Sequence, residues 1–132
     1  MLFRSHALVR ETVYATLTED DRALGHRLAG AWLLSSGESD PMVFAEHFDR
    51  GKEPLRAATF FLRAAEQALW GNDTEAAIAR AQRGLCCGAK DEAVVTALTA
   101  LLCEAHTWRN EWDIGAAYGE EVMRPSNVAG WT

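Results

Sequence analysis

Four side chains late in the chain could hold a metal ion: Cys86, Cys87, Cys103 and His106. Zinc takes thiolates and imidazoles in sets of four, and Cys103 and His106, one helical turn apart, can face a single ion. Adjacent cysteines rarely ligate one ion together, and Cys86-Cys87 falls where a helix ends. Buried thiols and a capping turn are therefore the stronger reading, and no metal or other cofactor is expected. His6, His26 and His47 are spread over three helices. A catalytic histidine needs an orienting carboxylate and a nucleophile within hydrogen-bond reach. Glu11 and Glu46 could orient, but no motif places a serine or cysteine, so structural or surface histidines are expected. The pairs Asp20-Asp21 and Glu120-Glu121 suggest acid–base work. Neighbours on a helix diverge by about 100°, so neither pair faces one substrate. Asp20-Asp21 fits the positive end of a helix dipole better.

What remains is chemistry of contact. Five tryptophans are many for this length. Trp70, Trp108 and Trp112 fall at helix turns, where they either pack between helix pairs or form an aromatic patch for a partner or a second copy. Arg56, Arg63 and Arg80 are candidates to line a groove that receives a protein or peptide. No residue is assigned a catalytic role.

The elements that must position these groups are helical. The stretch from Glu53 to Leu85 reads as two antiparallel helices. Leu55, Leu62 and Leu69 recur every seven residues with Ala58, Ala65 and Ala68 between them, which makes one apolar stripe. Ala77, Ile78, Ala81 and Leu85 form the facing stripe, and Ala65, Ala77 and Ala81 permit close approach. The turn is Gly71-Asn72-Asp73-Thr74: Gly71 or Asn72 can turn left-handed, and Asp73 or Thr74 can cap. Before this hairpin, the pattern predicts a helix from a Ser5 cap to Leu17, with Leu8, Val9, Val13 and Leu17 as its apolar side. A second helix starts at Thr18 and runs to Ser36, with Leu24, Leu28 and Trp32 spaced by four. A short third helix opens at Asp40-Pro41, buries Phe44, Ala45 and Phe48, and ends at Gly51. After it, Gly88 marks a stop. Asp91 to Trp108 is lined by Val94, Leu98, Leu101, Leu102 and Ala105. Trp112 to Met123 turns Ile114, Ala117, Tyr118 and Val122 inward, and Pro125 stops it. Trp131 could dock the tail. The one strand signal is a scrap at Met1 to Arg4. Trp70-Gly71-Asn72-Asp73 and Trp108-Arg109-Asn110-Glu111 repeat at an offset of 38, which places Ala81 on Gly119 and Leu85 on Met123.

Bulk properties agree with a single soluble domain. The chain has 132 residues, 48% of them apolar, and net charge −6. Residues 1–66 carry eight basic and ten acidic groups, and residues 67–132 five and nine, so neither half is a basic platform for nucleic acid. Arg4, Arg10, Arg22 and Arg27 are interleaved with Glu11, Glu19, Asp20 and Asp21. No apolar run is long enough to span a bilayer, and charges interrupt the N-terminus where a signal peptide needs an apolar core. Three cysteines make no disulfide framework, so a cytoplasmic location is expected.

The motif A-x-x-F-L-R-A-A-E-x-A-L, followed by N-D-x-x-x-A-I-x-x-A-x-x-G-L, resembles a tetratricopeptide (TPR) repeat. Ala65, Ala77 and Ala81 stand at its small positions, and a weaker second copy has Gly115 and Gly119 where alanine is usual. The resemblance covers residues 53–123. It implies an all-α fold of about seven helices, stacked as antiparallel pairs in a short right-handed solenoid. The N-terminal F-R-S-H-A-L-V-R-E-T-V-Y-A-T-L, then D-R-x-L-G-H-R-L-A, resembles the end of the winged-helix region of bacterial STAND-type signalling ATPases. Phe3, His6, Leu8, Arg10, Glu11, Tyr14, Leu17, His26 and Arg27 carry that likeness, and Ala45 to Phe48 fits the arm after it. Such ATPases are joined to serine/threonine kinase, adenylate-cyclase or LuxR-type modules. The resemblance implies a fragment or truncated relative of such a regulator: residues 1–36 as the end of the winged-helix region and its following helix, 37–123 as repeats, 124–132 as a tail. Its function would be non-catalytic protein–protein interaction, with a peptide, another domain of the parent or a second copy as partner. The alternatives are an ATP-binding kinase or cyclase role inherited from the parent, and a DNA-binding regulator fragment. The chain has no G-x-x-x-x-G-K-[ST], H-R-D or D-F-G, so any ATP site would lie upstream.

Overall fold

In a computed structural model of the chain, residues 2–125 are described, with side chains from Ser5 onward. They form seven helices and, among the described residues, no strand: α1 (Leu2–Thr16), α2 (Glu19–Ser36), α3 (Pro41–Arg50), α4 (Pro54–Trp70), α5 (Thr74–Cys86), α6 (Glu92–Trp108) and α7 (Trp112–Met123). The fold is all-α. The strand scrap expected at Met1 to Arg4 is corrected, because helix α1 begins at Leu2. Ser5 therefore sits inside a helix rather than capping one. Trp131 lies outside the described residues.

Most ends were legible as caps. Thr18 accepts a hydrogen bond from Asp21 N, Asp40 from Met42 N, Asp73 from Ala76 N and Asp91 from Val94 N. At the far end, the residue before Pro125 is forced out of helical geometry, and Arg124 is extended. Three turns share one geometry. At Lys52, Asn72 and Asn110, φ is +58°, +62° and +62°. The next residue's N–H reaches back to a carbonyl five positions earlier: Glu53 to Phe48, Asp73 to Ala68 and Glu111 to His106, each at 2.9 Å. This is the six-to-one bond of a Schellman close. The repeat of Trp70–Asp73 at Trp108–Glu111 is thus a repeat of backbone shape. Sequence comparison missed the third copy because a lysine stands in the left-handed position.

Consecutive helices from α2 to α7 pack side by side, and α4 also packs on α6. Helix α4 lies between two cores. One joins it to α3 through Phe44, Phe48, Ala57 and Phe61. The other joins it to α5 and α6 through Ala58, Ala65, Leu69, Ala77, Ala81, Leu98 and Leu102. Small residues set the spacing. A Cβ on Gly84 would stand 2.9 Å from a Leu98 methyl and 3.2 Å from Phe61 Cβ. Gly115 lies equally close to α6: a Cβ there would meet Thr107 Oγ1 at 2.8 Å. That contact rotates α7 away from the expected face. Gly115 is buried and Tyr118 and Val122 are half-buried, whereas Ile114 and Ala117, expected inward, are exposed.

The N-terminal helices differ. Helix α2 meets α3 through Ala23, His26, Arg27 and Gly30, and its Leu33 packs on the core that holds Phe44 and Phe48. Arg27 Nη1 donates to the Gly51 carbonyl at 2.8 Å, and Lys52 lies 3.4 and 3.7 Å from Glu19 and Asp20. Its evenly spaced large residues, Leu24, Leu28 and Trp32, face water. Helix α1 touches the rest through Tyr14 and Arg22. Arg22 donates to the Tyr14 and Ala15 carbonyls, and its guanidinium lies 4.8 Å from the Tyr14 ring centre.

Candidate functional site

The metal reading is the first to be tested by geometry. Among the described residues no cluster of three or more metal-binding side chains forms. Cys86 is exposed, and Cys87 is half-buried with its thiol donating to the Arg83 carbonyl. Burial, reinforced by neighbouring Asp49, pushes the Cys87 thiol up to about 12, which leaves it protonated and a poor ligand. Cys103 faces Gly119. His106 is buried, stacked on Tyr118 with ring centres 5.6 Å apart. Its Nδ1 lies 3.5 Å from Glu111 Oε2, long for a hydrogen bond. Glu111 is held below the usual carboxylate range, chiefly by its hydrogen bond from Arg109.

Two of the three scattered histidines do come together. His26 Nδ1 lies 3.1 Å from His47 Nδ1, and His26 Nε2 lies 3.2 Å from the Tyr14 hydroxyl. Burial holds His26 below its ordinary pKa, and His47 and Arg50 add like-charge repulsion. The chain Tyr14–His26–His47 links α1, α2 and α3 through their side chains. Sequence reasoning missed it because the partners are 12 and 21 residues apart.

The arginine candidates divide. Arg80 donates to the Ala64 carbonyl at 3.0 Å, so it braces α5 against α4. Arg56 lies over the Phe48 ring at 4.7 Å and pairs with Glu53 at 3.3 Å. Arg63 alone stands in a recess, over the Phe60 ring at 5.1 Å. That recess has a volume of about 530 Å³ and opens between the end of α2, the start of α3 and the outer face of α4. Leu34, Pro41, Phe44 and Phe60 give it an apolar floor, and Trp70 stands at one end. Glu38 and Glu66 add polar groups at its wall, and Glu38 is engaged with the Ser39 and Asp40 N–H groups. Volume and lining fall in the range of ligand sites.

The tryptophans do not pack between helix pairs. Trp70 is 82% exposed, Trp112 63% and Trp108 49%. Trp70 joins Arg63 at the groove, whereas Trp108 and Trp112 flank the α6–α7 turn. Leu34, Phe44 and Phe60 were not expected at a site. The Phe60-Phe61 doublet held the one available signal: neighbours on a helix diverge, so with Phe61 in the core, Phe60 must face another surface.

No family matches this chain, and no match is found among curated proteins or among solved structures. No described helix is long and apolar enough to cross a membrane.

Proposed function

We propose that this chain is a non-catalytic protein-interaction module, built of TPR-like right-handed helix pairs and related to, or part of, a STAND-type signalling regulator. Its groove between α2, α3 and α4 would receive a peptide that seats a bulky apolar side chain on Phe44 and Phe60. The pairs α4–α5 and α6–α7, closed by the same turn geometry at Asn72 and Asn110, support the repeat reading, as does the packing of α4 on α6. The observation that carries the interaction reading is the groove itself: an apolar floor, the Arg63 guanidinium over the Phe60 ring and a tryptophan left in water at its end. Trp and Arg beside an apolar pocket are the usual anchors of recognition. The ATP-dependent alternatives lack phosphate-cradling or catalytic residues in this sequence.

Selection from a displayed peptide library, followed by calorimetry on the selected sequences, tests this. Trp70→Ala, at an exposed position, should weaken a selected peptide by about tenfold or more, and Arg63→Ala by less, with the helical spectrum unchanged. Peptides that bind the double variant as well as the parent would rule out the groove. Micromolar binding of ATP with magnesium would contradict the non-catalytic reading.

A further inference from the structure

Among the described residues, the two N-terminal helices turn several large apolar side chains to water. Leu8, Val9 and Val13 of α1 are 59%, 61% and 53% exposed, and Leu28 and Trp32 of α2 are 61% and 66% exposed. Leu17 and Leu24 add to them. Summed over the two helices, these seven residues leave on the order of 700 Å² in water. It is close to the roughly 800 Å² that each partner contributes to a standard interface.

Two further observations bear on what covers it. Helix α1 has 15 residues and, among the described residues, meets the rest of the chain chiefly through Tyr14. Helices of that length are marginal in water unless a packed stripe supports them. In addition, the exposed rows match. Val9 and Val13 of α1, continued by Leu17 just past its end, follow one another at four-residue steps, and so do Leu24, Leu28 and Trp32 of α2. Rows of that spacing on two helices interdigitate, ridge into groove, and these two span equal lengths of chain. One chain thus carries both halves of a complementary contact and leaves both open.

We propose that a second copy of this chain covers the face, with the Val9–Val13–Leu17 row of one copy lying against the Leu24–Leu28–Trp32 row of the other. A two-fold axis makes the contact twice, so both rows of both copies are buried. The surface is separate from the peptide groove, and each can fail without the other.

The test is sedimentation of the full chain across a concentration series, with peptide binding measured in parallel. The parent should be dimeric at tens of micromolar. Leu28→Glu and Trp32→Glu place a charge at exposed helix positions and should each weaken the dimer about a hundredfold while keeping the helical spectrum. Leu28→Cys combined with Val13→Cys, with Cys86, Cys87 and Cys103 changed to serine, should form an intermolecular disulfide. A parent that stays monomeric at 100 µM overturns the proposal. So does a dimer that both glutamate variants leave intact, which would put the contact elsewhere. Peptide binding retained in a monomeric variant shows that the groove reading stands on its own. Its loss in a parent that still dimerises would sink that reading alone.

Discussion

Helices α2 and α4 are almost the same length, 18 and 17 residues, and both carry an apolar residue at every turn. Helix α4 buries seven residues, five of them alanines, and is closed on opposite sides by two cores. Helix α2 buries only Ala23 and Gly30, packs Leu33 on the α3–α4 core, and turns Leu24, Leu28 and Trp32 to water. Periodicity therefore fixes that a face exists, not that the chain itself supplies its cover. What separates the two is the neighbour. Phe44 and Phe48 of α3 fill the space beside α4, whereas α2 meets α3 across a glycine: a Cβ on Gly30 would stand 3.0 Å from the Phe48 ring. The free energy of folding is concentrated from α3 to α6, and the N-terminal pair rides on polar ties.

The sharpest way to break this comparison is to empty each side in turn. Phe61 is fully buried between both cores, and its ring also carries the Arg83 guanidinium at 4.6 Å. Phe61→Ala should cost about 3–5 kcal/mol in urea-induced unfolding. Leu28→Ala in dilute, monomeric protein should stay within about 0.5 kcal/mol of the parent. A large loss for Leu28→Ala under those conditions would mean that α2 packs its leucines after all.

Glycines make a finer version of the same contrast. Gly84 has no room, so Gly84→Ala should destabilise by about 1–3 kcal/mol as Leu98 and Phe61 are pushed aside. Gly25, in the middle of α2, has nothing within 4 Å of an added Cβ. Gly25→Ala should stabilise by about 0.5–1 kcal/mol, because alanine loses less backbone entropy in a helix. Thermal unfolding of the pair reads both signs, and equal signs would show that the two ends are packed alike.

The sequence made much of the core legible and little of the surface. Alanines at 58, 65, 77 and 81 and leucines at 98 and 102 were readable because a helix buried against helices repeats its pattern faithfully. Caps at Thr18 and Asp73 were readable because their side chains bond to their own backbone. The groove was half readable: Arg63 and Trp70 were expected at a binding surface, but Phe44 was assigned only to the core. It serves both, lining the floor while packing beneath it. The direction of an apolar stripe was not legible in α2 or α7. Both stripes depend on which small residue, Gly30 or Gly115, lets the neighbouring helix come close, and that is a property of the pair.

The smallest expected effect concerns how α1 is tied down. His26 is neutral where it meets Tyr14 and His47, and its folded pKa lies below the ordinary 6.5. An unfolded chain takes up the proton near 6.5, while the folded chain resists until lower pH. In that window the unfolded state binds more protons, so stability is complete above 6.5 and falls as the solution is acidified below it. The imidazole is only half-buried, so solvent screens much of the cost and the loss should be about 1–2 °C in Tm between pH 7.5 and 5.5. It should also be local. Hydrogen exchange ought to quicken in α1 and the first turns of α2, with α4 unchanged. His26→Gln removes the titrating group and should remove the difference between the two pH values. If the variant keeps the parent's full pH dependence, the tie between the N-terminal helices does not run through this histidine. The contrast with α4 would then rest on packing alone.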